Sequence, residues 1–180
     1  MFAPRLDGVS SEALYLAIND VGLTPIRVDS DEVTYNLHII LRFEIERALF
    51  AGTLKIADLP GVWRAKATEL LGLELKSDAE GVLQDVHWSG GAFGYFPSYC
   101  IGNMIASQLW YTVLEQMPGI EMDFERGDFS RLLGWLRTNI HQHGHKYDPQ
   151  VLVEKVTGSK ITPEPYVRYL TRKYSEIYGL

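Results

Sequence analysis

Hydrophobic residues recur every three or four positions along most of this chain, which is the spacing of one face of an α-helix. The segments with this spacing open at Ser, Asp, Thr or Pro, and several of them close at Gly, as helices commonly do. The pattern therefore predicts an all-α fold. The predicted helices lie within residues 10–21, 29–52, 57–72, 96–117, 127–144, 147–158 and 161–180.

Several helix ends and faces are specific enough to be predicted residue by residue. In the segment 29–52, Asp29 and Glu32 have the spacing of a capping box, and Gly52 is the expected end. Its buried face is expected to contain Val33, Leu37, Ile40, Leu41, Ile45, Ala48 and Leu49. The first helix is expected to bury Leu14, Ile18 and Val21, and the last three helices to be capped by Asp128, Asp148 and Thr162.

Residues 73–93 form one long irregular region between predicted helices, and they contain the stretch GVLQDVHWSGG. Loops of this length in compact domains are usually functional or disordered. The chain shows no internal repeat, low-complexity tract or linker. Residues 1–180 are therefore expected to form a single helical unit.

Composition and charge narrow the possible partners. The net charge of −6 argues against nucleic acid, because phosphate binding needs a positive field. No apolar run approaches the roughly 18 residues of a membrane span, and Arg5 and Asp7 interrupt the region where a signal peptide would be apolar. The single cysteine, Cys100, excludes an internal disulfide framework. A cytoplasmic protein is expected.

The histidines at 141, 143 and 145 form the one histidine cluster, in the segment HQHGHKY. There is no His-Glu-x-x-His pattern, which would place two zinc ligands on one helical face. Imidazoles near a helix end interact favourably with its dipole, so a capping role is the simpler interpretation. A metal site made by His141, His143 and His145 is the alternative.

The irregular region holds the best candidates for chemistry. His87 lies there between Asp85 and Trp88, where an imidazole can donate a hydrogen bond to a developing oxyanion. Tyr95 and Tyr99 follow, and a phenolic hydroxyl can serve the same oxyanion or a substrate carboxylate. The alternative is a buried polar loop whose side chains satisfy one another.

Arg27 is the second candidate, because it follows a proline-fixed turn and precedes a predicted helix. The guanidinium fork matches a carboxylate in two-point geometry. The alternative is a salt bridge to Asp29 or Asp31. No glycine-rich phosphate loop, Gly-x-Ser-x-Gly elbow or cysteine pair is present.

Two motifs together resemble a known family. GVLQDVHW at 81–88 is similar to the GxxQDxHW signature of the M32 metallocarboxypeptidases, the carboxypeptidase Taq family. IRVDSD at 26–31 resembles the [IV]RxxAD motif of that family, with Ser30 where the motif has alanine. The resemblance extends from about Pro4 to Leu180 and includes the segments GYFPSY and PEPYVRYLTRKYSEIYGL.

This resemblance implies a cytoplasmic, homodimeric and almost wholly helical zinc peptidase of the gluzincin type, which removes single residues from peptide C-termini. In such enzymes zinc polarises the scissile carbonyl and a glutamate is the general base. The resemblance assigns the substrate's terminal carboxylate to Arg27 and oxyanion support to His87. By weaker analogy, Tyr95 and Tyr99 contact the carbonyl or carboxylate. Gln84 and Asp85 complete the expected substrate-binding set.

The family's HPF, DxRxT, HExxH and HES/GQ motifs, which supply the zinc ligands and the general base, are absent. The chain is therefore expected to be the C-terminal portion of such an enzyme, without a metal site and inactive alone until an N-terminal half completes it. A non-catalytic remnant that self-associates and binds peptide C-termini is the alternative, and an independent metal activity of the 141–145 histidines is a third.

Overall fold

The computed structural model describes residues 6–180, and within them the chain is helical with no β-strand, as predicted. Three short 3-10 turns, Arg27–Asp29, Ile56–Asp58 and His141–His143, separate some of the helices. The α-helices in chain order are α1 Ser11–Ile18, α2 Tyr35–Phe50, α3 Leu59–Leu71, α4 Pro97–Gln116, α5 Ile120–Glu125, α6 Ser130–Asn139, α7 Pro149–Thr157 and α8 Glu164–Tyr178.

The chain divides into two compact units, one up to Cys100 and one from Ile101 onward, so the boundary falls inside α4. The expectation of a single unit over residues 1–180 stays a prediction. No helix of the described residues is long and apolar enough to cross a membrane.

The first unit is organised around the packing of α2 against α3. Leu41 and Ile45 of α2 meet Trp63 and Ala67 of α3, and each of the four is at most 3% exposed. Burying such side chains is the main favourable term in folding. The helix α3 ends where predicted, because Gly72 takes the left-handed conformation at φ +66° that glycine adopts without strain.

The predicted capping box of α2 is wrong. The helix begins at Tyr35, and Asp29 lies in the preceding 3-10 turn. Asp31 instead accepts hydrogen bonds from the backbone N–H groups of Val33 at 2.8 Å and Thr34 at 2.9 Å. The reason is the 3-10 turn, which shifts the helix start away from Asp29 by several residues.

The buried face of α2 also differs from the prediction. Ile39 is buried at 1% exposure, whereas Ile40, which was expected inside, is 37% exposed. Four polar residues of α2 are buried together with its apolar side chains: Asn36, His38, Arg42 and Glu46. The predicted buried face of α2 differs from the observed one because the prediction used apolar residues alone and ignored these polar positions.

The helix α1 does not bury the face that its sequence suggests. Its N-cap is as expected, since Ser10 Oγ accepts from the backbone N–H of Ala13. None of its residues is buried, with Leu14 at 39% and Ile18 at 72% exposure, and Val21 lies beyond the helix end. Among residues 6–180 no segment buries this helix, so its apolar side chains form an exposed hydrophobic surface.

The irregular region is confirmed and is slightly longer than predicted, since residues 72–96 form turns between α3 and α4. We call residues 72–96 the motif loop. The loop ends at the buried ring of Phe96, directly before α4 begins at Pro97.

The second unit contains the four helices from α5 to α8 and most of α4. The short helix α5 was not predicted, and α6 ends at Asn139 instead of continuing towards Gly144. Asp128 accepts from the backbone N–H of Ser130, but Phe129 and not Asp128 is at the N-cap of α6. Asp148 is at the N-cap of α7, as predicted, although its side chain makes no capping bond; α8 has Pro163 at its N-cap, not Thr162.

Candidate functional site

The motif loop is fixed to α2 by two buried charged residues one helical turn apart. Arg42 donates to Asp85 Oδ2 at 2.7 Å, and Glu46 accepts from Trp88 Nε1 at 2.6 Å. Glu46 also accepts from the backbone N–H of Gly94 at 3.1 Å. Because residues four apart lie on one helical face, a single side of α2 holds both ends of the segment from Asp85 to Gly94.

Arg27 lies in the 3-10 turn Arg27–Asp29 and is only 6% exposed. Its Nε and Nη2 atoms donate to one oxygen of Asp85, Oδ1, at 3.2 and 2.7 Å. Its Nη1 donates to the hydroxyl of Tyr35 at 3.0 Å. Burial opposes the charge of Arg27, but the hydrogen bonds and negative charge of Asp85 outweigh it and raise the pKa of the guanidinium.

Asp85 lies between two arginines. Oδ1 faces Arg27 and Oδ2 faces Arg42, so the two oxygens have different partners. Burial alone would raise the pKa of this carboxyl, yet the Arg27 bonds and the Arg42 charge hold it below its usual value. We call these three residues, Arg27, Asp85 and Arg42, the arginine–aspartate cluster.

Gln84 ties the same segment to the backbone. Its Nε2 donates to the carbonyls of Pro25 and Glu80, both at 2.8 Å, and its Oε1 accepts from the backbone N–H of Arg27 at 3.0 Å. Arg42 Nη2 donates to the same Oε1 at 2.9 Å. The amide of Gln84 is therefore fully engaged in holding the Arg27 turn against the motif loop.

His87 reaches the cluster from its other side. Its Nδ1 is buried without a hydrogen-bond partner and lies 3.7 Å from Asp85 Oδ1, just beyond hydrogen-bonding distance. Its Nε2 lies 3.1 Å from the hydroxyl of Tyr99. Tyr95, 51% exposed, stacks on the His87 ring with the centroids 6.1 Å apart.

Aromatic rings line the arginines. The guanidinium carbon of Arg27 lies 5.2 Å from the ring centroid of Tyr99 and 5.8 Å from that of Phe96. That of Arg42 lies 4.7 Å from the ring centroid of Trp63. Such cation–π contacts favour a charged guanidinium in surroundings with little water.

With both arginines charged and Asp85 ionised, the cluster carries a net charge of about +1. A second buried imidazole, His38, adds no charge near neutral pH, since burial and then the two arginines lower its pKa to about 4. Two buried guanidiniums that share one carboxylate suit a singly charged anion such as a carboxylate, although the acidic side chain of Glu46 lies one helical turn from Arg42.

The structure thus brings together the candidates that the sequence placed in three separate segments. Arg27, Gln84, Asp85, His87, Tyr95 and Tyr99 all belong to one connected site in the first unit. The acid that pairs with Arg27 is Asp85, not Asp29 or Asp31 as the salt-bridge alternative had it. The substrate and catalytic roles of the six stay predictions.

Sequence reasoning missed Arg42, Tyr35 and Glu46. The signal for Arg42 and Glu46 was their position, because each falls on the stripe that contains Leu41 and Ile45. A charged residue inside an apolar stripe must be paired when the stripe is buried. Nothing in the local pattern distinguished Tyr35.

The histidines of the segment 141–145 do not form a metal site in this structure. His141 and His143 lie in a 3-10 turn after α6, and the ring of His143 lies beside Tyr147 with the centroids 5.5 Å apart. Across residues 6–180, no group of three or more His, Cys, Asp or Glu side chains is placed to hold a metal ion.

Comparison with known proteins gives matches over nearly the whole chain. A family model described as carboxypeptidase Taq (M32) metallopeptidase matches residues 1–174. The chain is 46% identical to Thermostable carboxypeptidase 1 of Thermus thermophilus, over 97% of this chain and 34% of that protein. It is 43% identical to Carboxypeptidase 1 of Bacillus subtilis, over 96% of this chain and 34% of that protein. The chain therefore spans about a third of the length of these relatives.

Solved structures match as closely. The M32 carboxypeptidase from Deinococcus radiodurans is 47% identical with a TM-score of 0.95, over 99% of this chain and 36% of that one. Metallocarboxypeptidase 1 of Trypanosoma cruzi is 40% identical with a TM-score of 0.90, over 96% of this chain and 38% of that one. The helical fold described above is thus shared with part of each of these proteins.

Proposed function

Because the chain belongs to the carboxypeptidase Taq (M32) metallopeptidase family, we propose that it forms the substrate-binding wall of a metallocarboxypeptidase that removes single residues from peptide C-termini. The chain matches the C-terminal portion of such enzymes. The observation that carries the proposal is the connected site in which Arg27, Asp85, His87 and Tyr99 meet.

Arg27 binds the terminal carboxylate of the peptide in this proposal. The hydrogen bonds of the described residues use three of its donors, one each on Nε, Nη1 and Nη2, and a guanidinium has five. The remaining donors and the net positive charge of the cluster favour an anion. Since only 8% of the Arg27 side chain is exposed, the carboxylate has to enter the cluster instead of resting on the surface.

His87 and Tyr99 support the carbonyl oxygen of the scissile bond in this proposal, and Tyr95 contributes from the exposed side. His87 Nε2 and the Tyr99 hydroxyl are bonded to each other. With Nε2–H as the donor of that bond, the Tyr99 hydroxyl keeps its own hydrogen for the carbonyl oxygen, and His87 orients it. Gln84 and Asp85 serve substrate binding through Arg27, because their polar atoms are engaged with it and with Arg42.

The family is a metallopeptidase family, and zinc is the metal that the motifs imply. A protein zinc site needs three or four donor side chains, and the described residues offer no such group. The residues present do not fit the metal, so no step through it is assigned to them. We propose that an N-terminal half of the enzyme holds the zinc, and that this chain alone binds none stoichiometrically and hydrolyses no peptide.

A binding measurement tests the role of Arg27. The chain is titrated with N-acetyl-alanyl-leucine and with its C-terminal amide, and we expect the carboxylate to bind at least ~10-fold more tightly. Arg27→Gln should remove this preference. Arg64→Gln is the matched control, because Arg64 is exposed and pairs with Asp78 in a different part of the unit. Equal affinity for the acid and the amide would overturn the proposal.

An activity measurement tests the division between two halves. Mass spectrometry of the purified chain should find no bound zinc, and the blocked dipeptide should stay intact. Co-expression with the part of the Thermus thermophilus relative that this chain does not match should restore release of leucine. One zinc per chain together with turnover by the chain alone would contradict the proposal.

The exposed apolar side chains favour a second candidate, a non-catalytic module that self-associates. Ile18, Phe50, Leu83 and Val86 are each at least 72% exposed, and exposed apolar surface of this kind promotes association. We propose a homodimer in either case, and the cytoplasm as the location. A monodisperse monomer in light scattering would contradict the homodimer. Sequencing upstream of the gene separates the two candidates, because an HExxH motif in the upstream reading frame would favour the enzyme over the non-catalytic module.

A further inference from the structure

Arg42 is the most completely buried charged residue in the described part of the chain, with 0% exposure. Its three nitrogen atoms each have a partner. Nε donates to Asp85 Oδ2 at 2.7 Å, Nη2 to Gln84 Oε1 at 2.9 Å, and Nη1 to the carbonyl of His38 at 2.7 Å. Taking a guanidinium out of water costs several kcal/mol before such partners offset it, so a side chain retained there calls for a role beyond packing.

The position of Arg42 decides how Arg27 can pair. A guanidinium and a carboxylate left to themselves form two parallel bonds, one to each oxygen. Arg42 occupies Oδ2 of Asp85, so Arg27 uses two nitrogens on the single oxygen Oδ1. Arg27 spends the same two donors as in a fork, but Arg42 holds the second carboxylate oxygen and so fixes the orientation of Asp85 and of Arg27 with it.

Arg42 also sets the charge. Arg27 and Asp85 alone form a neutral pair, whereas the three residues with Arg42 sum to about one positive charge, which buried Glu46 one helical turn from Arg42 opposes in part. Coulomb attraction for an incoming anion is strong in a site that excludes most water. The same arginine holds Gln84, whose Oε1 accepts from the backbone N–H of Arg27.

We propose that Arg42 is a positioning residue, which acts through Asp85 and Gln84 to keep the Arg27 guanidinium oriented and available for an anionic ligand. This inference rests on the proposed function in one respect, the identity of the ligand as a peptide carboxylate. It assigns Arg42 no contact with that ligand.

The test compares three variants of the full chain. Arg42→Gln removes the charge and the fork, and Arg42→Lys keeps the charge without the fork. Arg47→Gln is the control, because Arg47 is on the same helix but exposed and lies beside Phe43. Near-ultraviolet circular dichroism reports whether each variant is folded.

The first readout is the NMR signal of the Arg27 Nε–H group, assigned by its loss in Arg27→Lys. In the wild type and Arg47→Gln we expect a resolved signal whose hydrogen exchanges slowly with water. In Arg42→Gln, Asp85 loses the partner of its Oδ2 atom and becomes free to rotate. The Arg27 Nε–H signal should therefore shift, and the exchange of its hydrogen with water should accelerate at least ~10-fold. A merely structural role would lower the melting temperature and leave this signal unchanged.

The second readout is the affinity for N-acetyl-alanyl-leucine. We expect Arg42→Gln to weaken it at least ~10-fold and Arg42→Lys to restore part of the loss through its charge. Folded Arg42→Gln with wild-type affinity and an unchanged Arg27 signal overturns the inference. If both Arg42 variants fail to fold, Arg42 is required for folding itself and the assignment as a positioning residue is overturned.

The two proposals fail separately. If the wild type binds neither the acid nor the amide, the proposed function fails, and the Arg27 signal in Arg42→Gln still decides the role of Arg42. If the wild type prefers the acid and the Arg42 variants do so equally, the proposed function stands and this inference fails.

Discussion

In each unit a buried helix side chain holds a neighbouring loop segment, but these side chains are charged in the first unit and neutral in the second. In the first unit, α2 holds the motif loop through buried charged groups, Arg42 and Glu46. In the second unit, Gln108 of α4 holds the segment after α7 through a neutral amide. Its Nε2 donates to Thr157 Oγ1 and Ser159 Oγ at 2.9 and 2.8 Å.

The difference is consistent with the proposed site in the first unit. A neutral amide costs less to bury than an ion, even though Oε1 of Gln108 is buried without a hydrogen-bond partner in the described structure. A buried ion pair is often no more stabilising than apolar residues of the same volume. Among the described residues, the buried charged side chains Arg27, Arg42 and Glu46 all lie in the first unit. The first unit therefore carries charges that its stability alone does not require, as functional sites commonly do.

The largest expected effect comes from removing the acid of the cluster. Asp85→Ala leaves two buried arginines without their carboxylate and should lower the free energy of unfolding by about 3–5 kcal/mol. Urea unfolding measures it. Asp78→Ala, which breaks the exposed Arg64 pair, should cost less than about 1 kcal/mol. If both variants lost the same free energy of unfolding, burial of the cluster would contribute nothing to stability.

Acid should weaken the chain through His38. The pKa of this imidazole is lowered to about 4 in the folded chain, while the unfolded chain titrates near its ordinary value of about 6.5. The unfolded state thus binds the proton first, and stability falls as the pH drops from about 6.5 to 4, by about 3 kcal/mol in total. Urea midpoints across this range measure the loss.

His38→Gln supplies the control, because it removes the titrating group while keeping a polar side chain. Its stability should change much less between pH 6.5 and 4 than that of the wild type. The lowered pKa of Asp85 acts in the same direction at lower pH, since its contribution is lost only as that carboxyl protonates below about 4. A wild-type stability that stays flat down to pH 4 would contradict a buried neutral His38.

Gln108→Ala should have an intermediate effect in the second unit. It removes the hydrogen bonds to Thr157 and Ser159 and leaves the half-buried Thr157 hydroxyl without this donor. We expect a loss of about 1–3 kcal/mol. Gln142→Ala is the matched control, because Gln142 is exposed and bonds only to the carbonyl of Thr138 in the described structure. A loss equal to that of Asp85→Ala would remove the contrast between the units.

The smallest expected effects concern two aspartates that accept backbone hydrogen bonds in the turns before α2 and α6. Asp31 accepts from two backbone N–H groups and from the Thr34 hydroxyl, so Asp31→Ala should cost about 1 kcal/mol. Asp128 accepts from the one backbone N–H of Ser130 and is exposed, so Asp128→Ala should cost less. Thermal unfolding of the two variants side by side ranks them, and the reverse order would count against a larger contribution of the Asp31 hydrogen bonds.

Much of the fold followed from the sequence because helical spacing and glycine ends are local signals. The helix α3 with its end at Gly72 and the irregular segment before α4 were both predicted and are confirmed. The short helix α5 and the 3-10 turns were not predicted, since few residues carry their pattern. The family resemblance drawn from two motifs is also confirmed.

The sequence by itself determined the helical class, the motif loop and the residue types that can bind a carboxylate, because each of these depends on residues close together in the chain. Only the tertiary structure decided that Asp85 pairs with both Arg27 and Arg42, which lie 58 and 43 positions away from it. A charged residue in the middle of a helix is ordinarily solvent-facing, and its spacing alone does not say which face another segment will cover. Burial depends on how the whole chain packs. It places Arg42 at the centre of the site, although the helical pattern around it is ordinary.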